Sequence, residues 1–194
     1  MSRINDEQLK QLIEAALFVA DRPLSAKGLK QSVLADFAVS LGRINEVLDQ
    51  LELDYRPRGV QLVQVAGGYR FQSHPDLSPY LGALWQEKAP RYSRALLETL
   101  ALIAYRQPIT RGEIERVRGV SVSSNIIRTL TDRGWVRVVG HKEVPGRPAL
   151  YATTHEFLQY FCLDSLASLP ALDDEQALTA LFSQAAIEPE LQVH

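Results

Sequence analysis

The chain has 194 residues, with 21 Lys+Arg against 23 Asp+Glu, 46% hydrophobic residues and 23% charged ones, a balance that fits one or two small globular domains. Its longest apolar runs, Ala15 to Ala20 and Leu100 to Tyr105, hold six residues each, far short of the roughly 20 that cross a bilayer. The net charge of −2 conceals an uneven distribution: 10 basic and 11 acidic residues over 1–88, 11 and 6 over 89–160, and none and 6 over 161–194. A whole-chain charge argument about partners would therefore mislead.

From Ile4 to Ala20, Leu9, Leu12, Ile13, Ala16, Leu17 and Ala20 share one helical face while Glu7, Lys10, Gln11 and Glu14 fall opposite, the pattern of an amphipathic helix. Asp21-Arg22-Pro23 ends it, and Ser25 is placed to cap a short second helix to about Val33. A third helix starts near Ser40, presents Leu41, Ile44, Val47, Leu48 and Leu51, and stops at Arg56-Pro57-Arg58-Gly59. Val60 to Val65 reads as a strand, Gly67-Gly68 as a tight turn and Tyr69-Arg70-Phe71 as the returning strand.

The same order recurs about 84 residues later. Leu12 to Arg22 lies over Leu96 to Arg106, and Pro23-Leu24-Ser25 over Pro108-Ile109-Thr110 with one residue inserted, which reads as a tandem duplication. In the second copy Thr110 and Glu113 have capping-box spacing for a helix to about Arg118, turned at Gly119-Val120. Ser121 or Ser123 can cap a third helix with Val122, Ile126, Ile127 and Leu130 inward, and Gly134 stands where a left-handed C-cap is expected. Trp135 to Val139 and Ala149 to Thr153 are the predicted strands around a loop from Gly140 to Pro148.

Three helices and a hairpin, twice over, is the layout of a winged helix-turn-helix. The predicted fold is thus α+β and mainly helical: a winged-helix domain over 1–74, a helical connector over 75–92, a second winged-helix domain over 93–168 and an acidic tail over 169–194. The connector carries Pro75, Pro79 and Pro90 but also Leu77, Tyr80, Leu81, Leu84 and Trp85, which argues for structure. The tail opens on Asp173-Asp174-Glu175 and holds Leu178, Leu181 and Phe182, the pattern of a disordered segment or of a helix that orders on a partner.

Catalytic chemistry has no positive signal. Neither Gly-x-Gly-x-x-Gly nor the Walker spacing occurs, no Gly-x-Ser-x-Gly elbow is present, and His74, His141, His155 and His194 are widely spaced. No enzyme activity, cofactor or metal is expected. The single Cys162 sits in Tyr160-Phe161-Cys162-Leu163 and is read as an inert, partly buried thiol. The N-terminus, Met-Ser-Arg-Ile-Asn-Asp-Glu, turns acidic where a signal peptide would need a basic start, which points to the cytoplasm.

A helix-turn-helix that reads DNA needs a basic third helix. The first copy carries Glu46, Asp49, Glu52 and Asp54 against Arg43 there and fits a protein-contact module. The second clusters Arg128, Arg133, Arg137, Lys142 and Arg147 on the third helix and the wing, with Ser123, Ser124 and Asn125 at the helix start. Two readings stay open for it: a weak direct DNA contact, or a protein-binding and solvated face.

The run Arg91 to Leu100, then Ile103-Ala104-Tyr105-Arg106-Gln107-Pro108-Ile109-Thr110-Arg111, Arg118-Gly119-Val120 and Gly146 to Thr154 closely resembles the segregation and condensation protein B (ScpB) family, a likeness that spans residues 5–170 and is strongest in the second copy. The resemblance implies a non-catalytic, nucleoid-associated subunit of a condensin-like SMC complex in chromosome condensation and partition. It implies a homodimer formed through the N-terminal domain that binds the kleisin ScpA and, through ScpA, the SMC ATPase. On this reading dimer contacts are sought at Phe18, Leu24, Tyr69 and Phe71, and kleisin contacts at Tyr92, Tyr105, Arg106, Arg147 and Tyr151. Each of these aromatics also has a plain reading as core. The alternative is a winged-helix DNA-binding transcription regulator.

Overall fold

The computed structural model describes residues 3–84 and 92–171, and the chain divides into two compact units between Glu87 and Lys88. Both units mix helix and strand, and each has a hydrophobic core of its own.

In the first unit, helix α1 (Asp6–Val19) buries Leu9, Ile13, Ala16 and Leu17 along one face. It begins with a capping box that the hydrophobic periodicity does not announce: Asn5 accepts the Gln8 N–H at 2.8 Å, and the Gln8 side chain accepts the Asn5 N–H. Ser25 caps α2 (Ala26–Gln31) as expected, although α2 ends two residues earlier than its sequence pattern, and α3 (Leu41–Tyr55), expected to start near Ser40, is capped by that serine. Leu9, Ile13, Leu29, Leu34, Ile44 and Leu48 form the closed centre of this core. The hairpin of β1 (Val60–Val65) and β2 (Gly68–Ser73) is antiparallel, with Leu62 opposite Phe71.

The hairpin turn is Ala66-Gly67, at φ 53° and 70°, and not Gly67-Gly68. Gly68 is the first residue of β2, and its need is different. A Cβ there would lie 3.0 Å from the carbonyl carbons of Pro23 and Leu24, because the stretch between α1 and α2 presses on the strand. Leu24 and Tyr69 exchange both backbone hydrogen bonds across this contact, at 3.0 and 2.9 Å. From the hairpin the chain continues through single turns at Pro75–Leu77 and Gly82–Leu84 around α4 (Ser78–Leu81). The connector is therefore helical over 75–84, and residues 85–91 lie outside the described ones.

In the second unit, Ser93 caps α5 (Arg94–Arg106), which buries Leu96, Leu97, Leu100, Ile103 and Ala104. A two-residue strand, β3 (Ile109–Thr110), follows and leads into α6 (Arg111–Arg118), whose Thr110–Glu113 capping box forms as the spacing predicts. Gly119 ends α6 in the left-handed conformation at φ 73°. Ser123 caps α7 (Ser124–Asp132), and Gly134, at φ 70°, turns the chain into β4 (Val136–His141). Trp135, assigned to a strand by its sequence, precedes β4 and is buried in the core. With β5 (Ala149–Thr153) the sheet has the order β3-β5-β4, and a bulge lies between Val138 and Gly140. A further helix, α8 (His155–Tyr160), is capped by Thr154 and adds Phe157 to a core built on Leu100, Ile103, Ile114, Val122 and Leu130.

The duplication is visible in backbone pairing as well as in sequence. Leu24 pairs with Tyr69 in the first unit as Ile109 pairs with Tyr151 in the second, and Leu24 and Ile109 are aligned positions of the repeat. Cys162 departs from the expected buried thiol. It is exposed at φ 53°, in the turn where the chain reverses after α8, so Phe161 and Leu163 point into the core while Cys162 points out. The segment 172–194, including Asp173, Leu178 and Phe182, lies outside the described residues.

Candidate partner-binding surfaces

On the first unit, the last turn of α1 carries two large apolar residues off its core face, Phe18 at 77% exposure and Val19 at 80%. At about 100° per residue, Phe18 falls opposite the Ile13–Ala16–Leu17 stripe. With Gln11, Glu14, Ala15 and Tyr55 they line a shallow concavity of about 280 Å³ between α1 and α3. The Tyr55 hydroxyl donates to the Glu14 carboxylate, an interaction that raises the Tyr55 pKa with help from burial. The Tyr55 ring packs on Phe71 at 4.6 Å, and the Arg58 guanidinium lies 4.5 Å above it. This wall is therefore stiff, which suits a surface that must meet a partner without reordering.

The four candidate dimer residues fall into two kinds. Phe18 stands exposed, whereas Leu24, Tyr69 and Phe71 are half-buried and pack against the core, with Leu24 and Tyr69 also tied to each other through the backbone. The hydrophobic pattern selected the latter three as apolar positions, and it passed over Val19, Ala15 and Tyr55, which share the concavity with Phe18. Plotting large apolar residues on the polar side of α1 would have found Val19.

On the second unit several of the basic side chains are paired with acids of the same unit. Arg128 pairs with Asp132 at 3.5 Å, Lys142 with Glu113 at 2.6 Å and Arg147 with Glu143 at 2.9 Å. Arg133 lays its guanidinium 4.8 Å above the Tyr92 ring and 5.8 Å above that of Trp135. Among the described residues, Arg137 is the one member of this group in neither an ion pair nor a ring contact, and it stands in a concavity with Glu156. Elsewhere Arg94 and Arg118 share Glu98, and Arg111 holds Glu115. Three of the five candidate DNA-facing cations thus have an acid at close range, which weakens the field that a phosphate backbone would meet.

Two of these acids order the fold around the β4–β5 loop. The Glu113 carboxylate accepts from Lys142, from the Thr110 N–H at 2.9 Å and from the Thr110 hydroxyl at 2.8 Å, which hold its pKa down to about 2. The Glu115 carboxylate accepts the Val122 N–H at 2.9 Å and the Arg111 guanidinium, and its pKa falls for that reason. The β4–β5 loop is thereby fastened to the start of α6, and the turn between α6 and α7 to its middle.

The candidate kleisin residues are spread over this unit. Tyr92 is a core residue at 4% exposure, packed edge-on against Trp135 at 5.2 Å. Burial, followed by the neighbouring Tyr160, pushes its hydroxyl up to about 12. Its side chain serves the fold. Tyr105 is half-buried and donates its hydroxyl to the Pro170 carbonyl at 2.5 Å, while Arg106 beside it is exposed. Tyr151 packs on the core in β5, and Arg147 is in the β4–β5 loop with φ 38°. Tyr105 and Arg106 are neighbours on α5. The side chains of Arg106, Arg147 and Tyr151 do not converge on one described concavity.

The chain matches the family model for segregation and condensation complex subunit ScpB over residues 11–172. It is 55% identical over 184 residues to a Segregation and condensation protein B homolog of Coxiella burnetii, which covers 95% of this chain and 87% of that protein. It is 44% identical over 173 residues to Segregation and condensation protein B of Moorella thermoacetica, covering 88% of this chain and 86% of that one. Among solved structures, a dimer of ScpB N-terminal domain complexed with ScpA peptide is similar, with 32% identity, coverage of 41% of this chain and 96% of that one, and a TM-score of 0.36.

Proposed function

The chain belongs to the family of segregation and condensation complex subunit ScpB, and from that membership we propose that it is the non-catalytic, nucleoid-associated subunit of a condensin-like SMC complex. In this reading each unit is a winged helix-turn-helix. The first forms a homodimer, and the dimer binds the kleisin ScpA and, through it, the SMC ATPase in chromosome condensation and partition. The observation that carries the reading is a likeness of 55% over 184 residues, 95% of the chain.

Two features of the units support it. The exposed Phe18 and Val19 on a stiff wall offer an apolar patch that a second copy would cover. Burying one such phenylalanine contributes about 1.5–3 kcal/mol, and Leu24, Tyr69 and Phe71 would form the half-buried rim. On the second unit, Tyr105, Arg106, Arg147 and Tyr151 are the positions proposed for the kleisin. The internal pairing of Arg128, Lys142 and Arg147 disfavours the transcription-regulator alternative.

The test is to co-express the chain with the kleisin encoded beside an SMC protein in the same genome and to isolate the complex by size exclusion with mass measurement. A stable complex, together with a dimer mass for the chain alone that drops to monomer in Phe18→Asp, is the expected result. A chain that is monomeric at micromolar concentration and passes the kleisin without binding would overturn the proposal.

A further inference from the structure

Helix α1 carries, opposite its core stripe, a line of exposed residues that is acidic at one end. Glu7, Gln11, Ala15 and Phe18 fall within about 80° of one another at roughly 100° per residue, and all four are exposed. A base stands at the other end, because Arg22, exposed as well, follows two residues after the helix cap Ala20. Among the described residues the ion pairs of this unit join Lys10 to Asp54, Arg43 to Asp6, Arg56 to Glu52 and His74 to Asp76. Glu7 and Arg22 take part in none of them.

The spacing along the line is symmetric enough to meet a copy of itself. At about 1.5 Å per residue, Glu7 lies about 12 Å and Gln11 about 6 Å from Ala15 toward the start of α1, and Phe18 about 4.5 Å the other way, with Arg22 beyond it. A two-fold axis through Ala15, perpendicular to the helix, therefore sets Glu7 of one copy against Arg22 of the other, and Phe18 against Gln11. Phe18, 77% exposed, then meets the concavity of about 280 Å³ that Gln11, Glu14 and Tyr55 line on the second copy. The single methyl of Ala15 at the crossing lets the two helices approach closely. A parallel pair would instead bring Glu7 onto Glu7 and Arg22 onto Arg22, which is repulsive.

We propose that two copies of the chain pack their α1 helices antiparallel about Ala15, and that reciprocal Glu7–Arg22 pairs fix this orientation. The occupant of the face is a second copy because the face is complementary to itself in charge and in shape, as a two-fold interface must be. The inference rests on the homodimer reading and adds to it the geometry and the residues that set the orientation.

The experiment is sedimentation equilibrium on the full 194-residue chain, as native, as Glu7→Arg, as Arg22→Glu and as an equimolar mixture of the two variants. Each variant alone places two repulsive pairs across the axis, and its dimer Kd should rise about tenfold. In the mixed dimer the introduced arginine meets the introduced glutamate and the native Glu7 meets the native Arg22, so Kd should return to within about twofold of the native value. Both effects should fade in about 1 M salt, which screens charges beyond about 3 Å. A native dimer indifferent to both reversals, the result expected if the kleisin covers this face instead, would overturn the inference and leave the homodimer reading standing. Weakened variants that mixing does not restore would do the same. A native chain that is monomeric at micromolar concentration would overturn both.

Discussion

Replacing Glu113 by Gln removes one charge and little volume, at the point where the β4–β5 loop is fastened to α6. In the native chain the carboxylate is held from 4.5 down to about 2, first by Lys142 and then by the Thr110 N–H and hydroxyl. At about 1.4 kcal/mol per pH unit that span corresponds to roughly 3 kcal/mol. Solvent screens the ion pair, since the side chains of Glu113 and Lys142 are 30% and 46% exposed, and the amide can still accept the Thr110 N–H. The expected loss at pH 7 is therefore about 1–2 kcal/mol. A depressed carboxyl pKa stabilises the fold fully above 4.5 and progressively less as pH falls through about 2. The gap between native and variant should accordingly close from pH 5 downward. Urea unfolding followed at the buried Trp135, in a Trp85→Phe background, reads this unit alone. A variant as stable as the native chain at pH 7, or two curves that fall in parallel between pH 5 and pH 2, would refute the reasoning.

Leu48→Ala, at a fully buried position of the first core, should cost that unit about 2–5 kcal/mol and leave amide exchange in the second unit unchanged. Gly119→Ala forces a side chain into φ 73° and should lower the stability of the second unit by about 1 kcal/mol in the same urea assay, although nothing crowds the position. Arg128→Ala with Arg147→Ala should change affinity for duplex DNA less than about threefold, because acids already occupy both guanidinium groups. Sequence-selective binding abolished by that pair, measured by anisotropy across a salt series, would restore the regulator reading.

The helices were legible because their evidence is local. Ser25 and Thr110 with Glu113 cap as their spacing predicts, Ser123 is the cap of the two serines that could serve, and α3 starts where expected, at Ser40. The i,i+4 pairs Arg94–Glu98, Arg111–Glu115 and Arg128–Asp132 could also be read from spacing alone. What escaped depends on residues brought from a distance. β3 is two residues long, too short to show any period, and exists because β5 lies beside it. Lys142 reaches Glu113 across 29 positions. Two adjacent glycines suggest a turn at Gly67-Gly68, whereas the strand needs Gly68 for the close approach of Pro23 and Leu24. At the surfaces, periodicity marks a residue as apolar and leaves open which way it faces. That is why Tyr92 proved to be core and Phe18 exposed.

The separation of the cores, one centred on Ile13, Ile44 and Leu48 and the other on Leu100, Ile103 and Phe157, gives the molecule a built-in reporter of where it is touched. Heated, two such units can melt in separate steps, and a ligand that binds one unit raises only that unit's midpoint. At a hundredfold excess over Kd the stabilisation is about 2.7 kcal/mol, worth roughly 10–20 °C for a domain of this size. Calorimetry with and without a kleisin segment would then assign the segment to its unit by which peak moves, before any interface is seen.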